Sequence, residues 1–289
     1  MSAAAIRAGV NPDRQPHRPR KRFGQHFLRD SGVVGRIVAA VRPVPGDRLV
    51  EIGPGLGALT RPLLAAAGEL DAVELDRDLL EPLRAHCAGT GALRIHRADA
   101  LTFDFAALCG DGPRLRLVGN LPYNISTPLL FHLLDQAEQV RDMHFMLQWE
   151  VVERMAAGPG AGAYGRLSVM LQYRCRVEAL FAVGPEAFRP PPKVKSAVVR
   201  LVPRETSPVP VRDERRFAAV VRLAFAQRRK TLRNALSGLM DARQIEAAGV
   251  DPAARAETLS LAAFAALSEI GADRRAGMGS DLASRPESG

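Results

Sequence analysis

Glu51-Ile52-Gly53-Pro54-Gly55-Leu56-Gly57 is the stretch on which the fold turns. It follows a short apolar run, Leu49–Ile52, and opens a helical pattern, so three glycines let backbone come close to a ligand at the carboxyl end of a strand. Gly53, Gly55 and Ala58 also fit the dinucleotide fingerprint G-x-G-x-x-G/A, so the loop alone does not choose between cofactors. Outward from it, further strand-like runs alternate with helical ones: Asp71–Leu75, Arg94–His96, Arg116–Gly119 and Met143–Leu147. That alternation predicts βαβ units, hence an α/β fold of Rossmann type with a mostly parallel sheet. Val177–Val183 and Ser196–Val202 read as two strands joined by a proline-rich loop, an antiparallel addition at the edge.

Beyond residue 212 strand signals vanish. FAAVVRLAFAQRRKTLRNAL reads as one long helical stretch, and TLSLAAFAALSEI as another. The predicted organisation is therefore a flexible basic arm over 1–20, an α/β domain over 21–203 that ends on Pro203, a linker over 204–211 with Pro208 and Pro210, a small all-helical domain over 212–271, and a disordered tail over 272–289.

The 289 residues carry a net charge of +9 and a pI near 10.3. The excess is concentrated, with net +5 over residues 1–22 and net +6 over 212–233, leaving the remainder near −2. Two separated basic blocks point to a polyanionic partner, whereas a single run is commonly a solvated face. The first ten residues lack the apolar stretch of a secretory signal, and no apolar run approaches the length of a membrane span, so a soluble cytoplasmic protein without membrane association is expected. Cys87, Cys109 and Cys175 are widely spaced, with no CxxC pair and no metal site in prospect, and read as reduced core cysteines.

The chemistry lies at the strand ends. Glu74, 21 residues after Gly53, sits where a carboxylate can accept from both hydroxyls of a ribose, which nicotinamide cofactors and S-adenosylmethionine share. Asp99 in Ala98-Asp99-Ala100 can accept from an adenine amine of the cofactor. The deciding element is Asn120-Leu121-Pro122-Tyr123 after the fourth strand. An adenine amine is a poor nucleophile because its lone pair is delocalised into the ring. If the Asn120 side-chain oxygen and the Leu121 carbonyl each accept an N–H, the nitrogen can pyramidalise towards a methyl sulfonium without a strong base. Pro122 stiffens the loop, and Tyr123 offers a face to a base swung out of its stack.

With these motifs in view, the chain resembles the KsgA/RsmA family of ribosomal RNA adenine dimethyltransferases. The resemblance is carried by KRFGQHFL at 21–28, EIGPGLGALT at 51–60, VELDRDL at 73–79, GNLPYNISTPLLFHLL at 119–134, FRPPPKVKSAVVRLVP at 188–203 and FAQRRKTLRN at 225–234, among others. It implies a class I methyltransferase domain with a helical C-terminal domain, S-adenosylmethionine as cofactor, and two adjacent adenosines near the 3′ end of 16S ribosomal RNA, within the small subunit or its precursor, as the target. No obligate protein partner is implied. By position, His26, Leu28, Gly53, Gly55, Glu74, Leu75, Asp99, Ala100 and Asn120 would form the cofactor pocket. Phe188 would stack opposite Tyr123 on the target base, where without the resemblance it reads as a core aromatic. Arg20, Lys21, Arg22, Arg228, Arg229, Lys230 and Arg233 would meet RNA.

Two departures stand out. His26 replaces an Asn common in relatives, and Trp149 replaces a Lys common after the LQ pair, leaving open a changed surface RNA contact or simple packing. Three readings compete: a large-subunit RNA methyltransferase of the macrolide-resistance kind, a nicotinamide oxidoreductase, which has no use for Asn-Leu-Pro-Tyr, and a non-catalytic ribosome-assembly or transcription factor.

Overall fold

The computed structural model describes residues 26–227 and 229–270. The expected arm, tail, Arg20, Lys21, Arg22 and Arg228 lie outside the described residues.

In chain order the elements are β1 (Phe27–Leu28), α1 (Ser31–Val41), β2 (Leu49–Ile52), α2 (Thr60–Ala67), β3 (Glu69–Glu74), α3 (Arg77–Cys87), β4 (Ala92–Arg97) and β5 (Leu115–Asn120). There follow α4 (Ser126–Leu134), β6 (Val140–Gln148), α5 (Trp149–Ala156), α6 (Arg166–Arg174), β7 (Cys175–Val183), β8 (Phe188–Arg189) and β9 (Ser196–Pro203). The helical end comprises α7 (Glu214–Ala226), α8 (Leu232–Ala235), α9 (Ala242–Ala247) and α10 (Leu261–Glu269).

Seven strands form one sheet in the order β4-β3-β2-β5-β6-β9-β7. All pairings from β4 to β6 are parallel, while β9 runs antiparallel to both β6 and β7. Every residue of β2 is buried, as an inner parallel strand covered on both faces requires. Two apolar clusters include residues from opposite faces of this sheet. The chain leaves β2 towards β3 and β4, then returns to place β5 on the other side. The carboxyl ends of β2 and β5 therefore flank the crevice where open α/β sheets bind ligands.

A third cluster gathers Phe217, Val220, Leu232, Ile245 and Phe264 of the helical end with Tyr164, Val169 and Tyr173. Val169 and Tyr173 belong to α6, and the Tyr164 hydroxyl donates to the Leu259 carbonyl at 3.0 Å. The helical end thus shares its core with α6 rather than standing on a core of its own.

The long helix read over residues 217–236 is interrupted. α7 stops at Ala226 and α8 starts at Leu232, because tertiary acceptors replace the helical ones: Leu232 N–H donates to the Ala254 carbonyl at 2.9 Å, and Arg233 N–H to the Pro252 carbonyl at 3.1 Å. Arg229 and Lys230 consequently sit in a turn, not on the helix with Arg233.

The cysteines are free and buried. No described helix is long and apolar enough to cross a membrane, and no cluster able to hold a metal occurs among the described residues.

Candidate functional site

The glycine loop adopts conformations that side chains resist. Gly53 and Gly55 have φ of 67° and 59°, and a Cβ on Gly55 would lie 3.0 Å from the Phe27 ring. With the loop folded tightly, Glu74 at the end of β3 reaches under it. Its carboxylate accepts from Gly55 N–H at 3.2 Å and from Asp76 N–H at 2.8 Å. Burial raises the Glu74 pKa against the lowering effect of those two N–H groups. At the end of β4, Asp99 Oδ1 accepts from Leu101 N–H at 2.9 Å, which fixes that carboxylate at the pocket wall.

One pocket gathers His26, Leu28, Gly53, Gly55, Glu74, Leu75, Asp99, Ala100 and Asn120 with Leu121, Pro122 and Tyr123. These are all the residues assigned in advance to cofactor and chemistry except Phe188. Among the described residues the pocket wall carries four carboxyl groups, from Glu51, Glu74, Asp76 and Asp99, and no Lys or Arg. A dinucleotide diphosphate would face acids without a counter-charge. A sulfonium with an ammonium is complementary to the same wall, so the residues present fit S-adenosylmethionine and not a nicotinamide cofactor.

The β1–β8 pair, which the sequence reading missed, forms the roof. Phe27 pairs with Arg189 and Leu28 with Phe188, bringing the segment after Gln25 across the crevice. His26 ties the roof together, with Nδ1 bonded to the Pro190 carbonyl at 2.8 Å and the ring stacked on Tyr123 at 5.5 Å between centroids. The Asn120 amide Nδ2–H donates to the His26 carbonyl at 2.8 Å. That bond turns Oδ1 into the free end of the amide, and among the described residues Oδ1 accepts no hydrogen bond. The Tyr123 hydroxyl is held by Ser196 Oγ at 2.6 Å.

Phe188 departs from expectation. It is 0 % exposed, packed in the cluster with Leu28, Ile37 and Val198, and lines no part of the pocket. Its backbone pairing with Leu28 draws the side chain inward, so in this conformation it anchors the roof and presents no face to a base. His26 is the aromatic ring on Tyr123.

Sequence reasoning gave no role to Glu51, although it opens the glycine motif. Glu51 is 2 % exposed, and its Oε2 is buried without a hydrogen-bond partner. Burial, with the Glu74 charge adding to it, pushes its pKa from the ordinary 4.5 up to about 8. The folded protein therefore holds a proton that the unfolded chain releases near pH 4.5. The stability this carries is complete below about pH 4.5 and is lost as pH rises through 8. Glu51→Gln, which keeps the neutral shape, should flatten the fall in melting temperature between pH 5 and 8. A variant melting with the parent's pH profile would contradict a buried, protonated Glu51.

Of the basic residues assigned to RNA, Arg229, Lys230 and Arg233 are exposed, with no acidic partner among the described residues.

The model of the family described as ribosomal RNA adenine dimethylase matches residues 16–273. A curated relative from Pseudomonas syringae pv. syringae, "Ribosomal RNA small subunit methyltransferase A", is 60% identical over 253 residues, 88% of this chain and 94% of the relative. One of the same name from Methylococcus capsulatus is 60% identical over 252 residues, covering 87% and 97%. Among solved structures, a dimethyladenosine transferase from Plasmodium falciparum superposes with a TM-score of 0.69 at 25% identity, covering 84% of this chain and 96% of that one. The 23S rRNA methyltransferase ErmE gives 0.66 at 26%, covering 84% and 98%.

Proposed function

Because the chain belongs to the ribosomal RNA adenine dimethylase family, we propose that its substrate is the small ribosomal subunit or its precursor, met in the cytoplasm. As a member it is an S-adenosylmethionine-dependent enzyme that dimethylates adenine amines of ribosomal RNA. The target proposed within that subunit is the pair of adjacent adenosines in a hairpin loop near the 3′ end of 16S RNA. The choice of subunit is supported by relatives 60% identical that are named for the small one, against 26% for the large-subunit enzyme ErmE.

The observation that carries the chemistry is the orientation of Asn120. With its N–H engaged by the His26 carbonyl, its oxygen is the group left to receive the target amine. The Leu121 carbonyl, which accepts no hydrogen bond among the described residues, is the second acceptor. Together they draw the two amine hydrogens to one side and leave the nitrogen lone pair directed at the cofactor. S-adenosylmethionine supplies an electrophilic methyl on a sulfonium. Glu74 and Asp99 would hold the ribose and adenine ends of the cofactor, with Leu75 and Ala100 lining the same pocket. Tyr123, kept in place by Ser196 and His26, supports the base. Positive charge develops on the nitrogen as its lone pair takes up the methyl, the two carbonyl acceptors stabilise that charge, and the proton is then lost to solvent.

Labelled S-adenosylmethionine offered to undermethylated small subunits, naked small-subunit RNA and large subunits tests the proposal. Label confined to the adjacent adenosines of small-subunit RNA is expected, and label on large-subunit RNA would overturn it.

Arg229, Lys230 and Arg233 are proposed as phosphate contacts, in company with Arg228 and with Arg20, Lys21 and Arg22 of the N-terminal segment. Replacing Arg229, Lys230 and Arg233 together with Gln should lower the slope of log affinity against log salt by about 2, leaving cofactor affinity as in the parent. An unchanged slope would mark a solvated face.

A further inference from the structure

We propose that Trp149, with Val194 beside it and Lys193 and Lys195 on either side of Val194, forms a platform on which a nucleobase neighbouring the target adenosine stacks. The proposal rests on the reading of the site as one that acts on ribosomal RNA.

The large apolar side chains left exposed among the described residues are Val44, Leu75, Trp149 and Val194. Val44 lies in the turn between α1 and β2, at the far end of the sheet from the crevice. Leu75 is in the pocket wall. The backbone brings the segments of the other two near each other, at the carboxyl end of β6 and just before β9. Gln148 pairs with Ser196 across β6 and β9, and the next residue, Trp149, donates its N–H to the Lys195 carbonyl at 2.9 Å. Ser196 in turn holds the Tyr123 hydroxyl at 2.6 Å. One rung of the ladder and one hydrogen bond thus separate the indole's residue from the tyrosine that supports the target base, a distance on the order of 10 Å.

Trp149 is 46 % exposed at the first position of α5, while Val151, Val152 and Met155 of the same helix are buried. The fold therefore has other side chains for this part of its core and leaves nearly half of the Trp149 surface open to solvent. Its surroundings select the partner. Lys193 and Lys195 are exposed with no acidic partner among the described residues, and Glu150, the nearest acid on α5, is paired with Arg154 at 3.1 Å. A flat indole flanked by free ammonium groups matches a single-stranded polyanion that carries aromatic bases: the rings stack, and the lysines meet the phosphates on either side. A neutral apolar partner would leave both lysines without a counter-charge.

The chain contains a single Trp, so its fluorescence reports on this position alone. The probe is a labelled single-stranded oligoadenylate, whose binding is followed by anisotropy, with methyl transfer to undermethylated small subunits measured on the same preparations. Quenching of the parent's Trp fluorescence in step with oligoadenylate binding is expected. Trp149→Ala should weaken that binding about tenfold, Trp149→Phe should restore most of it, and Trp149→Lys should restore it only at low salt. Both cofactor affinity and thermal stability should stay at the parent's level. Unquenched fluorescence at saturating oligoadenylate, or parent-like affinity in Trp149→Ala, overturns the platform. A loss of thermal stability in Trp149→Ala does so too, because it shows the indole packing. A parent that quenches as expected yet methylates no ribosomal RNA overturns instead the functional reading beneath it.

Discussion

Replacing Asn120 with Ala is expected to cut methyl transfer by at least about a hundredfold, because it removes an acceptor aimed at charge that develops only as the new bond forms. Of the two acceptors proposed for the amine, the Asn120 oxygen is the one a substitution can delete. The Leu121 carbonyl belongs to the backbone. The loss should fall on kcat rather than on cofactor affinity alone, since Glu74 and Asp99 remain in place. Asn120→Ala also releases the His26 carbonyl, so loosening of the roof is a competing cause of any defect. Asn120→Asp separates the two: it keeps an oxygen for the amine and cannot donate to His26. If orientation of the amine dominates, Asn120→Asp retains more activity than Asn120→Ala at matched cofactor saturation. Near-normal turnover in Asn120→Ala would remove the residue from the chemistry.

Arg116→Ala is expected to cost about 3–5 kcal/mol of stability, the usual result of removing one partner from a buried ion pair. The Arg116 guanidinium, 6 % exposed, bonds Asp142 through two contacts at 3.0 Å and Asp47 at 2.6 Å. It also donates to the carbonyls of Val41 and Arg42, where α1 ends. One side chain thereby satisfies the last turn of a helix and two carboxylates on different segments. Without it, Asp142 stays buried with no cation within bonding distance, since the His144 ring at 3.7 Å is held neutral, its pKa lowered by burial to about 4. Chemical denaturation at neutral pH measures the loss. A change below about 1 kcal/mol would mean that water replaces the guanidinium.

The parallel sheet was legible because its strands alternate with helical patterns, and β2 was read with its observed ends. Glu74, Asp99 and Asn120 could be proposed from the sequence because each stands at or just after the end of a strand, and in a parallel sheet all carboxyl ends lie along one edge, whereas His26 and Leu28 were named only from the resemblance. For Phe188 the residues by themselves read as a core aromatic, and the resemblance alone put it against the target base. A two-residue strand leaves no periodicity to detect, so its pairing with Leu28, which draws the ring inward, was invisible. The long helix through Gln227 failed because helical propensity contains no information about Ala254 and Pro252, which take over its backbone donors.

Local pattern, by itself, determined the fold class, and it was enough to propose the sheet edge for the site and Asn120 and Leu121 as acceptors, because each depends on residues near one another in the chain. Only the tertiary structure decided which way the Asn120 amide points, that Glu51 is buried with one carboxyl oxygen unpartnered, that Arg116 joins Asp47 to Asp142, and that Trp149 is left half exposed. Those properties depend on burial and on partners up to 94 residues distant, and no local spacing encodes the desolvation and hydrogen bonding that set them.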